Sequence, residues 1–369
     1  MEWPDHPDVI TWAGVAHLLE PFTLRSVVLS NRIGVSPMCE YSSEDGFASD
    51  WHLVHLGSRA VGGAGVVLTE AAAVEPRGRI TAADLGLWKD AHVEPLARIV
   101  RFLQAQGAVA GVQLAHAGRK ASVDVPWRGG AGLGLDAGGW EPIAPSAIPF
   151  SDVSPAPRAM SVEDVREVIR SFAAAARRAL AAGFQVLELH YAHGYLVHEF
   201  LSPLANHRQD AYGGGFDQRI RLALEIVRAV RAEWPERLPL LTRLSCTDWV
   251  EGGWTVDGSV ELARRLASEG VDLVDCSSGG MVPNARVDAV PGYQVPFASR
   301  IRREAGVATA AVGLITTPAQ AEGIVRDGDA DLVFLAREML RDPYWPLHAA
   351  VELGQPTARR VPVQYLRAF

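Results

Sequence analysis

"SVEDVREVIRSFAAAARRALAAGFQVLELHYAHG", residues 161–194, decides the architecture. Ser161 and Asp164 have the spacing of a capping box, in which hydroxyl and carboxylate each satisfy a backbone N–H at a helix start. Apolar residues then recur at helical intervals until Gly183, a residue that tolerates the left-handed conformation in which helices end. The run that follows, FQVLELH over 184–190, is short and mostly apolar, as a strand buried on both faces must be. Its far end changes character, with His190, His193, Tyr195 and His198 close together. A packed core needs none of that chemistry. The segment therefore reads as a helix delivering a strand whose tip carries function.

Working outward, the same unit repeats. Strands are expected near 32–38, 64–71, 108–115, 184–190, 239–245, 270–276, 307–313 and 331–336. Helical patterns lie between them, two opening on Thr255 and Thr317 as caps. Eight buried strands alternating with helices, with no antiparallel hairpin signal, predict a single (β/α)8 TIM barrel. A doubly wound sheet is the competing arrangement, but no Gly-x-Gly-x-x-Gly opens a helix after an early strand. The stretch 126–159, "PWRGGAGLGLDAGGWEPIAPSAIPFSDVSPAPRA", is too long for an ordinary loop. It follows the third strand and is expected as an excursion over the barrel mouth, with a disordered linker as the other reading of its composition. Residues 1–20 are expected as an N-terminal extension, and 21–369 as the barrel with its C-terminal tail.

A net charge of −8 without any run of Lys or Arg argues against nucleic acid or an acidic membrane as partner. Cys39, Cys246 and Cys276 are odd in number, far apart and in no CxxC pair, so no disulfide framework or structural zinc site is indicated. The opening "MEWPDHPDVITWAG" lacks the basic and apolar regions of a leader, and no apolar stretch reaches bilayer length. The expectation is a soluble, cytoplasmic protein.

In such a barrel, chemistry collects at the C-terminal ends of the strands. Those ends carry Ser36, Pro37, Met38 and Cys39 with Tyr41 beyond, then Glu70 and Ala71, then Gln113 and His116. They continue with His190, His193 and Tyr195, with Arg243, with Gly313, and with Ala336 and Arg337. Each alone has a plain structural explanation: a strand arginine is usually ion-paired, and a free cysteine is usually a small buried hydrophobe. Their coincidence on one face favours a site. Gly313 before a helix start, with Arg337 on the next strand, fits the phosphate site after strands seven and eight. Gln113 offers a donor and an acceptor, and Arg243 a fixed cation for a developing negative charge. FMN, a phosphorylated ring that becomes anionic in its reaction, satisfies both ends. A metal-dependent lyase using His116, His190 and His193 stays open on these residues alone.

A family resemblance rests on "SPMCEYSS" (36–43), "EAAAVEPRGRIT" (70–81), "GVQLAHAGRKAS" (111–122), "HYAHGYLVHEFLSPLANHRQDAYGG" (190–214), "DCSSGG" (275–280), "PGYQVPFASRIRRE" (291–304), "AVGLITTPAQAE" (311–322) and "ADLVFLAREMLRDPYWP" (330–346). In these segments the chain resembles the Old Yellow Enzyme family of FMN-dependent ene-reductases, in its bacterial branch with a first-strand cysteine. The resemblance implies that Ser36, Pro37, Met38 and Cys39 line the flavin ring, with Ala71 and Gln113 also at the ring. It places Arg243 beside the charge of the reduced flavin and Gly313, Ala336 and Arg337 at its phosphate. It implies that His190 and His193 hold a substrate carbonyl, that Tyr195 donates a proton, and that Tyr41 lines the substrate pocket. NADPH is the implied hydride donor and an electron-poor alkene the acceptor. Arg367 matches a tail arginine that enters a neighbouring subunit's pocket, which implies a homodimer or homotetramer.

Two departures from the family pattern stand out. "GGGFDQR" at 213–219 lacks the usual capping serine, and Ala336 replaces a frequent glycine before the phosphate arginine. A 2,4-dienoyl-CoA reductase-like enzyme is the other reading within the oxidoreductases, but three scattered cysteines do not suit its iron–sulfur cluster.

Overall fold

The computed structural model describes residues 16–355 and 361–368. Along the chain the strands are β1 (Phe22–Leu24), β2 (Val27–Leu29), β3 (Ile33–Val35), β4 (Val66–Ala73), β5 (Val109–Ala115) and β6 (Ile143–Ala144). They continue with β7 (Arg158–Ala159), β8 (Val186–Tyr191), β9 (Leu240–Ser245), β10 (Leu273–Ser277), β11 (Ala308–Ala311) and β12 (Leu332–Leu335). The helices are α1 (Asp50–Val61), α2 (Val93–Ala105), α3 (Val162–Ala181), α4 (Leu196–Leu201), α5 (Phe216–Arg219) and α6 (Arg221–Glu233). After these come α7 (Val256–Ser268), α8 (Val295–Ala305), α9 (Pro318–Arg326), α10 (Arg337–Arg341) and α11 (Trp345–Glu352).

Eight parallel strands close into one barrel in the order β3-β4-β5-β8-β9-β10-β11-β12, sealed where Val333, Phe334 and Leu335 pair with Ile33, Gly34 and Val35. All eight expected strands are present. Burial on both faces explains their apolar composition, because helices cover the outside while side chains fill the inside. Segment 161–194 folds as read. Ser161 accepts from the Asp164 N–H and Asp164 accepts from the Ser161 N–H, closing the box. Val165, Val168, Phe172, Ala175, Ala176 and Ala179 then bury one face of α3, which packs on α6. Thr255 and Thr317 cap α7 and α9 through the Gly258 and Gln320 amides. Gly215 stands at the N-cap of α5 without a side-chain bond.

One element carries no signal in the sequence. A hairpin does exist: β1 and β2 pair antiparallel around the two-residue turn Arg25-Ser26. Its strands are only three residues long, and Arg25, at φ 49°, occupies a left-handed position usually given to Gly, Asn or Asp. Neither the strand pattern nor the turn residues announce it. The hairpin closes the barrel floor, where Arg25 donates to Asp272 (2.6 Å) and to the Glu236 carbonyl (2.5 Å). Of the expected N-terminal extension, Leu18 and Leu19 are fully buried in the core, and the Leu18 N–H donates to Glu322 at 2.8 Å. Residues 1–15 of that extension lie outside the described residues.

The 126–159 excursion is folded against the barrel mouth. Ile143 and Ala144 are buried, β6 pairs with β7, and the Trp140 indole donates to the Arg77 carbonyl at 2.9 Å. Among the described residues, no helix is long and apolar enough to cross a membrane.

Candidate active site

The strand register assembles the site. On β8, β9 and β10, His190 lies beside Arg243 and Arg243 beside Asp275, while Gln113 of β5 lies beside Glu188 of β8. Arg243 Nε and Asp275 Oδ2 meet at 3.0 Å, both buried, though not in line for a hydrogen bond. The Gln113 amide nitrogen donates to Glu188 Oε1 at 2.7 Å, leaving Glu188 Oε2 without a hydrogen-bond partner.

Just beyond the β8 tip, His193 has φ 60°, a conformation that costs a non-glycine residue roughly 1–3 kcal/mol and persists only when its surroundings impose it. They do. The His193 N–H donates to Ser245 Oγ at 2.9 Å, and its carbonyl accepts from Lys120 Nζ at 2.8 Å. Gly280 packs so closely that a Cβ there would lie 2.6 Å from His193 Cα. The imidazole is fixed as well, with Nε2 2.7 Å from Ser277 Oγ and Nδ1 3.4 Å from His190 Nε2. When the Ser277 hydroxyl donates to Nε2, the proton of His193 sits on Nδ1, toward His190. Burial pushes the pKa of both histidines well below the usual range, and the Arg243 cation adds to this. Both rings are therefore neutral at pH 7. Tyr195 packs edge-on against His190 with centroids 5.1 Å apart, and burial raises its phenol well above the usual range, so it keeps its proton.

Lys120, absent from the sequence-based candidates, holds this corner together. Its ammonium donates to the His193 and Gly280 carbonyls and lies over the Phe150 and Tyr195 rings at 4.3 and 5.3 Å. Burial brings its pKa down to about 8. Its place in "GRKAS" beside the third strand tip was the available signal.

The tips of the first and second barrel strands also meet. Cys39 lies near Ala71 and Tyr41, and the pKa of its thiol is raised by burial and by the nearby Asp84 and Glu70 carboxylates. Glu70 supports the turn by accepting from the Glu40 N–H at 3.0 Å and pairing with His52 at 2.9 Å. Ser36 is buried, its N–H donating to the Leu335 carbonyl and its hydroxyl without a hydrogen-bond partner. Pro37 and Met38 are half-buried beside it. Ala71 and Tyr195 line one hollow. A cavity of about 540 Å³ opens between Tyr195, Lys120 and Phe150 and the excursion residues Gly129–Gly132.

A further cavity of about 250 Å³ brings together Gly313, Ala336 and Arg337 as expected, with Arg341 and Ser277. Gly313 has φ 117°, and a Cβ there would come 2.7 Å from the Gln294 amide, so only glycine keeps that wall open. Ser277 borders this cavity and touches His193, joining the two ends of the site. Arg367 is exposed on the tail turn Val363–Ala368, where Tyr365 packs on Tyr344, and it lines neither cavity.

His116 does not join the other histidines. Its Nε2 pairs with Glu75 at 2.8 Å and its Nδ1 accepts from the Gly118 N–H at 3.0 Å. Among the described residues no group of three or more His, Cys, Asp or Glu is placed to hold a metal ion. For Glu75, burial alone would raise the pKa, but His116 and Arg77 outweigh it and bring it down to about 2 from the ordinary 4.5. A carboxyl depressed on folding stabilises above its unfolded pKa and loses that contribution as pH falls through the folded one. The effect is worth roughly 3 kcal/mol, lost between about pH 5 and pH 2. Urea unfolding from pH 6 down to pH 3 should show this decline, and Glu75→Gln should flatten it.

A family model described as NADH:flavin oxidoreductase / NADH oxidase matches residues 17–355. The chain belongs to this family. It is an enzyme, a flavin oxidoreductase of the Old Yellow Enzyme type. It is 50% identical over 354 residues to an NADPH dehydrogenase of Geobacillus sp. (strain WCH70), covering 95% of this chain and 98% of that one. Its fold is similar to that of a 2-naphthoyl-CoA reductase, with a TM-score of 0.83 at 26% identity; the match covers 92% of this chain and 52% of that longer one. An old yellow enzyme homologue from Zymomonas mobilis shares the fold, with a TM-score of 0.76 at 23% identity over 92% of this chain and 93% of that one.

The residues fit the flavin of this family. The 250 Å³ cavity has two arginines for a phosphate, and the buried Ser36 hydroxyl and Arg243 Nε are polar atoms still open to a ligand. FMN would be held by Arg337 and the Gly313 turn at one end and by Gln113, Ala71, Cys39 and Arg243 along its ring.

Proposed function

We propose that this chain is an NADPH-dependent ene-reductase for α,β-unsaturated ketones, aldehydes, maleimides and nitroalkenes, working by a ping-pong cycle in one pocket. The observation carrying this reading is the tip of β8: two neutral imidazoles with facing nitrogens 3.4 Å apart, and a protonated phenol packed on one of them. FMN, when bound, supplies the hydride that it has taken from NADPH.

The protein's part follows from its own groups. Hydride delivery to the β-carbon of an enone moves negative charge onto the carbonyl oxygen, where preorganised donors lower the barrier. His193 Nδ1 and His190 Nε2 lie 3.4 Å apart, so an oxygen settling beside them would meet both, and neutral rings can donate there without carrying a buried charge. The phenol of Tyr195 then gives its proton to the α-carbon, a general-acid step. Lys120, over the Tyr195 ring, steadies the phenolate left behind until solvent reprotonates it. The fixed charge of Arg243 balances the negative charge of the reduced ring. Tyr41, 6.0 Å from Trp127 of the excursion, walls the substrate side. Arg367, exposed on the tail, reaches the pocket of a second copy in a homodimer or homotetramer.

The test is anaerobic. NADPH should bleach the flavin absorption of the purified protein, and 2-cyclohexenone should restore it promptly. Bleaching without recovery would refute the ene-reductase reading, and a protein that does not take up FMN would refute the whole assignment of the site.

A further inference from the structure

At the level where β5, β8, β9 and β10 adjoin, two carboxyl groups share one arginine. Glu188 and Asp275 have no solvent exposure and Arg243 has 6%. With all three ionised, the cluster would hold one uncompensated negative charge out of contact with water, a costly state that buried groups avoid by taking up a proton. The geometry distinguishes the two carboxyls. Asp275 sits 3.0 Å from the guanidinium, whereas Glu188 accepts only from the neutral Gln113 amide and its Oε2 is unpartnered.

The groups facing Glu188 are Gln113 on β5, Arg243 on β9, Asp275 on β10, and the neutral His190 on its own strand. Burial and the Asp275 charge raise the Glu188 pKa, with Arg243 opposing. Asp275 is raised by burial and held back by Arg243. Two acids sharing one counter-charge titrate as a unit, and any new negative charge beside Arg243 draws a proton onto the one less well paired.

We propose that Glu188 is a redox-linked proton acceptor: toward the alkaline end of the working range, where it is ionised in the oxidised enzyme, its Oε2 takes one proton from water when the flavin beside Arg243 is reduced and returns it on reoxidation. This rests on the reading that Arg243 faces the flavin ring. The step balances: NADPH delivers two electrons and one proton to the ring as hydride, and the extra proton forms a single O–H bond on Glu188. On reoxidation the alkene takes the hydride, Tyr195 supplies the α-proton, and the Glu188 proton goes back to water. Glu188 acts through Arg243 and Gln113 as a positioning and charge-balancing residue, without touching substrate.

The experiment is a potentiometric titration of the holoenzyme from pH 6 to pH 9, followed by flavin absorption. In a two-electron couple each proton taken up adds about 30 mV per pH unit to the slope of the midpoint potential. Toward pH 9, where oxidised Glu188 is ionised, a slope of about 60 mV per pH unit is expected in the wild type, falling to about 30 mV in Glu188→Gln. Infrared difference spectra, reduced minus oxidised, should gain a protonated-carboxyl C=O band in the wild type. That band should shift with 13C-labelled glutamate, which assigns it without any variant. A one-proton slope throughout with no carboxyl band, or a band unmoved by labelled glutamate, overturns the proposal. Bleaching by NADPH in the same samples separates the two failures: a flavin that bleaches yet shows a one-proton slope refutes only the role of Glu188.

Discussion

Tyr195→Phe should slow reoxidation of the reduced flavin by 2-cyclohexenone by about 10²–10⁴-fold, the usual contribution of a positioned general acid, and leave reduction by NADPH unchanged. The change removes one oxygen and keeps the ring that packs on His190 and under Lys120, so the pocket should hold its shape. Only the α-carbon loses its proton source, and that proton is needed in one half-reaction alone. Stopped-flow absorption of each half-reaction measures the split. Equal slowing of both halves would mark Tyr195 as a structural wall, and no slowing of either would place the proton donor elsewhere.

Arg243→Met should cost the fold about 3–5 kcal/mol, the penalty for removing one partner of a buried ion pair. The loss comes less from the missing attraction than from what remains. Asp275 keeps its carboxyl in a fully buried position with no hydrogen bond on either oxygen, and Glu188 has an open Oε2 in the same cluster. Urea unfolding followed by tryptophan fluorescence reads the shift in midpoint. The double variant Arg243→Met/Asp275→Leu should recover much of the stability, because replacing both partners removes the stranded charge. FMN affinity should stay low in both variants, since the cation for the ring is gone. A single variant as stable as the wild type would show that the cluster is already neutral without the arginine.

The barrel was legible because burial on both faces forces its strands to be apolar runs, and because Ser161, Thr255 and Thr317 mark helix starts by a local hydrogen bond that depends on few neighbours. The β1–β2 hairpin was not, since Arg25 holds its left-handed turn through Asp272 and Glu236, more than two hundred residues away. The same distinction runs through the site. His190, His193 and Tyr195 lie together in sequence, and Gly313, Ala336 and Arg337 sit at strand ends where phosphate sites are expected. Glu188, Asp275, Lys120 and Ser277 matter through partners on other strands: a carboxyl inside an apolar run gives no sign of which cation it will meet. His116 looked like a third metal ligand until its two nitrogens were accounted for by Glu75 and Gly118.

The floor of the barrel has a consequence for how the chain is made. Leu18 is tied to Glu322, and Arg25 to residues 236 and 272. A ribosome produces these anchors late, so the opening segment emerges hundreds of residues before its docking partners exist. Until then Leu18 and Leu19 lack the α9 helix against which their turn packs. Closure at this end must therefore wait until residues 236, 272 and 322 have all been made, when contacts of very long sequence separation can form. A circular permutant beginning after residue 30, with the old termini joined through a flexible linker, would synthesise anchor and segment almost together.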